Sequence, residues 1–419
     1  MYKRQGYQNE KEELGEKQLQ NTIEKLKQEY RKKDCVILYF IGLTESYEGE
    51  GYDRKNLKIP QNQEKLLAEI AETVGKDNIA AISFGGAPMD FSFEKNVGAI
   101  LHMYLGGQAV GESVADLISG EVNPSGKLAE TIPFSEKDTP AWRYFAPPND
   151  DVEYRESIFV GYRYYETFHV PVKYPFGYGL SYTSFSYSEL NVSEVYSGGK
   201  IQIRFKIKNI GKVSGAEIAQ LYVCPNESDV IRSHIELKGF QKIYLHPGEE
   251  KEVILELDER SFSVYDVEKK AFSMLSGKYQ ICIGASVHDL QLKANIEVVG
   301  NSYFRNEREL FPDYFREQPH GMEISAEQFY QLLGGEPKHD KEKKRGEYTV
   351  YDSYQDVVNV SIFGKFVRGI VHIGLKIMLR GKSERDPAFK MVKMGVEEGN
   401  LEGLIATSGG IATPKLIDM

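Results

Sequence analysis

The chain begins with a hydrophobic pattern of helical period. Within residues 10–33, apolar positions recur at spacings of four, three and four residues, at Leu19, Ile23, Leu26 and Tyr30. Glu and Lys residues fill most of the positions between them. This spacing places the apolar side chains on one face and predicts an amphipathic helix.

Continuous apolar runs then alternate with helical stretches. The runs cover residues 35–41, 79–84 and 98–104, and helical spacing appears at 66–74 and 108–119. Uninterrupted apolar runs are typical of strands buried on both faces. Alternating strands and helices favour right-handed crossovers, which predicts a mostly parallel sheet covered by helices.

From about residue 185 the hydrophobic period changes to two. Apolar and polar side chains alternate over residues 201–207, 219–223, 253–257 and 279–283. Turn sequences such as Asn-Ile-Gly, His-Pro-Gly and Ser-Gly lie near the ends of these runs. Several short alternating strands at this spacing predict a β-sandwich.

We therefore predict an α/β protein with a layered α/β sandwich, followed by an all-β sandwich and a mixed, partly helical extension. The predicted segments are an N-terminal helix in residues 1–33, the α/β sandwich in 34–176, the β-sandwich in 177–300 and the extension in 301–419. Residues 1–5 resemble a translated sequencing-library adaptor, which predicts that the reading frame shown begins inside a longer one.

Composition excludes some function classes. The 419 residues carry 52 Lys and Arg against 62 Asp and Glu, giving a formal net charge of −10. Nucleic acids and anionic membranes attract basic surfaces, so we expect neither as a partner. Residues 357–379 predict an amphipathic helix rather than a membrane span, because four basic side chains interrupt them. The three cysteines lie far apart, which favours a reducing compartment, and we expect the protein in the cytoplasm.

An acidic loop is the densest cluster of chemically active groups. Glu45, Glu48, Glu50 and Asp53 follow the first apolar run, and a glycine flanks Glu50 on each side. Loops at the carboxyl ends of parallel strands bind ligands in open α/β sheets. Crowded carboxylates raise one another's pKa, as a general acid requires. A solvated acidic loop without a catalytic role remains the alternative interpretation.

Other catalytic templates do not fit. The glycine-rich stretch 106–111 lacks the Gly-Lys-Ser/Thr ending of a phosphate-binding loop and predicts a tight turn instead. The eight histidines form no His-x-x-x-His pair and no cluster with cysteine, so we expect no metal site and no cofactor.

Several longer strings resemble family 3 glycoside hydrolases. The resemblance covers roughly residues 34–300, with Ser157 standing where that family usually has glycine. The matching strings are Tyr-Glu-Gly-Glu-Gly-Tyr-Asp-Arg at 47–54, residues 57–63, 107–111 and 120–128, the tyrosine-rich 154–165, Pro-Phe-Gly-Tyr-Gly-Leu-Ser-Tyr-Thr at 175–183, and 236–248. The resemblance implies that residues 177–300 form a fibronectin type III-like domain.

The resemblance also implies a retaining β-glucosidase activity on terminal β-D-glucosyl residues, with a carboxylate nucleophile and a carboxylic acid/base. Carried onto the acidic loop, it makes Glu50 the acid/base, with Glu48 as the alternative. Glu45, Asp53 and Arg54 become supporting groups.

The nucleophile of that family lies in a (β/α)₈ barrel, for which this chain has no room. Only 33 residues precede the first predicted strand, against about 250 in a typical barrel. We therefore expect no nucleophile in this chain, a barrel of the same polypeptide as its partner, β-linked glucosides as its substrates, and no activity in isolation. A β-xylosidase, an α-L-arabinofuranosidase, or a non-catalytic sugar-binding or interaction protein remain alternatives, and the oligomeric state stays open.

Overall fold

The computed structural model describes residues 16–30, 35–44, 47–49, 54, 56–145, 152–300, 306–337, 347–349 and 351–359, with short pieces between 365 and 403. The chain divides into two compact units, which are described separately. The first comprises residues 1–105 and 338–419, and the second residues 106–337. Among the described residues, no helix is long and apolar enough to cross a membrane, and no group of three His, Cys, Asp or Glu is placed to hold a metal ion.

The helices and strands with defined bounds are numbered in chain order. The helices are α1 Glu16–Tyr30, α2 Gln61–Val74, α3 Val110–Ser119, α4 Tyr162–Thr167, α5 Glu307–Leu310, α6 Ala326–Leu333, α7 Tyr354–Asn359 and α8 Pro387–Glu397. The strands are β1 Ile37–Gly42, β2 Ile79–Phe84, β3 Ala99–His102, β4 Ile132–Pro133, β5 Val172–Tyr174, β6 Phe185–Asn191, β7 Val195–Tyr196, β8 Ile201–Asn209, β9 Gly215–Pro225, β10 Glu236–Leu245, β11 Glu250–Leu257, β12 Ser263–Asp266, β13 Ala271–Met274, β14 Gly277–Gly284 and β15 Leu290–Val298.

The first unit contains a parallel sheet in the order β1-β2-β3, as the alternating pattern predicts. Helix α2 buries Leu66, Leu67, Ile70 and Val74, the apolar positions that predict it. The mostly parallel α/β architecture is therefore confirmed.

A buried glutamine joins helix α2 to the end of strand β1. The Gln63 side chain accepts a hydrogen bond from the Gly42 amide at 2.9 Å and donates one to the Gly42 carbonyl at 3.0 Å. The Tyr39 hydroxyl donates to the Gln63 carbonyl at 2.7 Å. Gln63 is 3% exposed, so these bonds compensate a costly burial and fix where β1 ends.

The prediction that strand β1 is buried on both faces is wrong. Tyr39 and Ile41 are buried, but Leu38 and Phe40 on the opposite face are 42% and 58% exposed, and Val36 just before the strand is 66% exposed. The physical reason is that alternate side chains of a strand point to opposite faces, and only the face that carries Tyr39 and Ile41 is buried. On the exposed side, Phe40 packs against the Phe84 ring with centroids 6.3 Å apart.

The second unit contains the predicted β-sandwich. One sheet has the order β10-β9-β14-β15-β7 and the other the order β11-β8-β6. The alternating apolar positions of β8, Ile203, Phe205 and Ile207, are at most 1% exposed and belong to one core cluster. The predicted turn after β8 is organised by Asn209, whose buried amide donates to the Leu245 carbonyl at 3.1 Å.

Two of the family-like strings contact each other beside this sandwich. The Gly177 amide donates to the Leu128 carbonyl at 2.8 Å, and the Lys127 ammonium donates to the Gly179 carbonyl at 2.9 Å. A Cβ atom on Gly179 would lie 2.2 Å from the Gly126 carbonyl oxygen. The glycine at 179 is therefore required by the close approach of two backbones.

Residues 306–337, the C-terminal segment of this unit, pack against the tyrosine-rich string. The Tyr164 hydroxyl donates to the Gln318 carbonyl at 2.6 Å, and the Tyr314 hydroxyl donates to the Arg155 carbonyl at 3.0 Å. The sequence of this segment reads as polar and irregular, yet part of it is core. Its buried apolar side chains are Phe311, Tyr314, Met322 and Ile324.

Ser157 has a left-handed backbone with φ of +53° and an exposed side chain. We expect Ser157→Gly to raise the free energy of unfolding by roughly 0.5–1 kcal/mol, because glycine carries no Cβ penalty there. Urea unfolding of the 419-residue chain measures this difference. Gly161→Ala is the matched control, since Gly161 has φ of +54° and open space around its Cβ position, and it should destabilise. A Ser157→Gly protein that is less stable than the native chain would contradict the prediction.

Candidate functional site

The carboxyl ends of the three parallel strands meet at one edge of the sheet. The Leu43 amide donates to the Phe84 carbonyl at 3.1 Å, and the Gly85 amide donates to the Tyr104 carbonyl at 3.3 Å. Each strand therefore leads directly into a loop at the same edge, where ligands bind in open α/β sheets.

Glu48 anchors the acidic loop on Gly86, the second residue after β2. Its two carboxylate oxygens accept the Gly86 amide hydrogen at 2.8 and 2.9 Å. The turn before it is closed by the Thr44 carbonyl, which accepts from the Tyr47 and Glu48 amides. A Cβ atom on Gly86 would lie 2.8 Å from the Glu48 carboxylate and 2.7 Å from the Leu105 side chain, so any larger residue there would displace both side chains.

Arg54 is a half-buried cation of the same loop. Its guanidinium donates to the Pro88 carbonyl at 2.6 Å, while a second nitrogen, Nη1, is buried without a hydrogen-bond partner among the described residues. Burial lowers the pKa of Arg54, and the nearby Glu48 carboxylate opposes that shift. Glu48 and Arg54 therefore form a charged pair of groups beside Gly86.

His102 and Ser83 lie on adjacent strands near the same edge. The Ser83 hydroxyl and His102 Nδ1 are 2.9 Å apart, and the rings of Phe91 and Tyr104 flank the imidazole. Burial lowers the pKa of His102 to about 4, so the ring is neutral at pH 7. The sequence analysis missed this pair. Each of two neighbouring apolar runs contains one of these polar residues, and this was the sequence signal for the pair. The register between β2 and β3 places the two residues opposite each other.

The structure describes two of the five sequence-predicted site residues. Glu48 and Arg54 lie together at the sheet edge. Glu45, Glu50 and Asp53 lie outside the described residues.

Comparison with known proteins identifies the family. Residues 4–182 match the glycosyl hydrolase family 3 C-terminal domain, and residues 217–287 match the fibronectin type III-like domain. The chain belongs to glycoside hydrolase family 3 and carries these two domains, whereas the described residues contain no (β/α)₈ barrel.

Relatives of this chain are glycosidases of considerably greater length. It is 42% identical to thermostable beta-glucosidase B of Acetivibrio thermocellus over 70% of this chain and 38% of that protein. It is 37% identical to an exo-alpha-(1->6)-L-arabinopyranosidase of Bifidobacterium breve over 65% of this chain and 36% of that protein. The crystal structure of a Kluyveromyces marxianus beta-glucosidase in complex with glucose superposes with a TM-score of 0.62 at 34% identity, over 69% of this chain and 34% of that one.

We expect Glu48→Ala to accelerate hydrogen exchange at the Gly86 amide, because that amide loses its acceptor. Exchange measured by mass spectrometry or NMR on the 419-residue chain checks this. Glu72→Ala, which removes an exposed carboxylate from helix α2, is the matched control. Equal exchange at Gly86 in the two variants would mean that the Glu48 contact does not protect it.

We expect His102 to make the protein less stable in acid. The unfolded chain binds a proton below about pH 6.5, the ordinary His pKa, whereas folded His102 binds one only near pH 4, so stability falls as the pH drops through this window. Solvent screening limits the effect to the order of 1 kcal/mol. Urea unfolding at pH 7 and pH 5 should show a smaller acid loss in His102→Gln than in the native chain. An equal loss in both proteins would remove His102 as its source.

Proposed function

We propose that this chain is the part of a cytoplasmic retaining β-glucosidase that supplies the acid/base loop but not the nucleophile. The observation that carries the proposal is the 42% identity to a beta-glucosidase over 70% of the chain, including the acidic loop within the matched family domain. Its substrates are β-linked glucosides or oligosaccharides that end in a β-D-glucosyl residue. A (β/α)₈ barrel of the same polypeptide supplies the nucleophile and completes the site.

Within this proposal Glu50 is the acid/base. The contacts of Glu48 support that choice, because both of its oxygens accept the Gly86 amide and its charge faces Arg54. Both contacts tie the Glu48 side chain to groups of its own chain, which suits a residue that positions the loop. Glu48 and Arg54 act as positioning residues that fix the loop, with Glu45 and Asp53 as further supporting groups.

The mechanism follows from two carboxyl groups about 5–5.5 Å apart, as retention requires. The nucleophile of the barrel attacks the anomeric carbon while Glu50 protonates the departing glycosidic oxygen. Glu50, now ionised, removes a proton from the water that hydrolyses the glycosyl-enzyme.

The test joins this chain to the part of the Acetivibrio thermocellus relative that it does not cover and measures hydrolysis of an aryl β-glucoside. Glu50→Gln should lose most of the activity, because no base activates the water, and added azide should restore turnover, because azide attacks without a base. Glu48→Gln is the matched control and should show no azide rescue. Rescue of Glu48→Gln with none of Glu50→Gln would reverse the assignment. The 419-residue chain alone should give no turnover, because it lacks the nucleophile.

A sibling specificity is the second candidate function. The 37% identity to an exo-alpha-(1->6)-L-arabinopyranosidase favours it, since that relative is named for a different sugar. A β-xylosidase or an α-L-arabinofuranosidase belongs to the same group of candidates. Sequencing upstream of codon 1 separates these from a non-catalytic sugar-binding protein, because an in-frame barrel is required for any glycosidase and its absence leaves only the binding role.

The cytoplasmic location is part of the proposal. Cys35, Cys224 and Cys282 are all free thiols, and the sulfurs of the last two lie 3.8 Å apart without a bond between them. Unpaired neighbouring thiols are typical of a reducing compartment.

A further inference from the structure

A cleft of about 370 Å³ opens in the second unit, within the size range of small-molecule sites. Three chain segments form it: residues 159–169 around the end of helix α4, residues 225–234 between β9 and β10, and residues 308–317 around helix α5 and the turn after it. None of them belongs to the acidic loop.

The walls of this cleft are fixed by hydrogen bonds between the segments. The amides of Glu307 and Arg308 donate to the Asp229 carbonyl at 2.8 and 3.1 Å. The His234 amide donates to the Thr167 hydroxyl at 3.0 Å. The cleft is therefore preformed, so that binding of a ligand costs little conformational entropy.

The charges that line the cleft are mixed. Each of its three arginines lies near a carboxylate: Arg232 near Glu236 at 3.6 Å, Arg308 near Asp229 at 3.2 Å, and Arg316 near Asp313 at 3.4 Å. Glu236 is shared with Lys238 at 2.8 Å, and two nitrogens of Arg232 have no hydrogen-bond partner among the described residues. Two further carboxylates at the cleft, Glu227 and Glu317, add negative charge, which favours a neutral ligand over a phosphate or another anion.

The remaining lining can both donate and accept hydrogen bonds. The side chains of Asn226, Glu227 and Glu317 make no hydrogen bond to other described residues, and the half-buried rings of Phe168 and Phe315 also line the cleft. An amide offers donors and an acceptor, and carboxylates offer acceptors. A ligand rich in hydroxyl groups, with apolar C–H faces between them, matches such a mixture of polar groups and aromatic rings.

We infer that this cleft binds a neutral carbohydrate, namely a β-linked glucosyl unit of a substrate or product oligosaccharide. The inference rests on the proposed function for the choice of sugar, but the cleft contains no residue of the acid/base loop. It gives the second unit a sugar-holding role that does not depend on which residue carries the chemistry.

The test is to titrate the 419-residue chain with cellobiose and to measure binding by calorimetry and by saturation-transfer NMR. We expect saturable binding that weakens by about tenfold or more in Asn226→Ala/Glu317→Ala, since two hydrogen bonds to the sugar are lost. Asn191→Ala/Glu268→Ala is the matched control, because it removes the same side-chain types from exposed positions outside the cleft, and it should bind as the native chain does.

The inference would be overturned by the absence of saturable cellobiose binding, by an equal loss of affinity in the two double variants, or by binding of inorganic phosphate in place of cellobiose. Glu48→Ala separates the cleft from the acidic loop, because it should leave cellobiose binding intact. Loss of binding in Glu48→Ala would place the sugar at the loop, which would refute the cleft while leaving the proposed function standing. Failure of azide rescue in Glu50→Gln would refute the acid/base assignment without affecting the binding result.

Discussion

Close approach of segments distant in sequence, made at a glycine, is the constraint that joins loops in both units. In the first unit, Gly86 lets the Glu48 carboxylate reach its amide, and a side chain there would displace the Glu48 and Leu105 side chains. In the second unit, Gly179 passes so close to the Gly126 carbonyl that a Cβ atom has no room. Both glycines lie in loops rather than in strands, so the constraint acts where segments distant in sequence meet.

The Glu48 contact also bears on which carboxylates of the acidic loop position it and which one transfers a proton. A carboxylate that accepts an amide with both oxygens is held in place, which suits an anchor. A catalytic acid must instead carry its proton to the leaving group. Under the proposed function the carboxylates of this loop therefore have two roles, with Glu48 as the anchor and Glu50 as the acid.

Sequence periodicity predicted the elements well because burial dictates it. The alternation over residues 201–207 lies inside β8, and the helical spacing from Leu66 to Val74 lies inside α2. Periodicity reports which face of an element is apolar but not what covers it. For that reason it predicted a strand β1 buried on both sides, while the structure exposes Phe40 at a sheet edge.

The site was less predictable because it depends on register between distant segments. Glu48 is 38 residues from Gly86, and no local pattern states that the two meet. Ser83 and His102 become neighbours only because β2 and β3 pair in one particular register. The carboxylates of the acidic loop and its place after a strand were enough to predict it as a candidate site. The contact between Glu48 and Gly86 that anchors it could not be predicted from the sequence.

Ser157 shows how tertiary structure overrides a local backbone preference. Its left-handed backbone disfavours any side chain, yet the turn around it is held from both sides. The Ser157 amide donates to the Tyr154 carbonyl, and the Phe159 amide donates to the Glu156 carbonyl. Phe159 in turn lies in the core that the C-terminal segment completes. A strained backbone conformation persists where the surrounding structure holds it in place. The packing of residues 306–337 therefore offsets the conformational strain at Ser157.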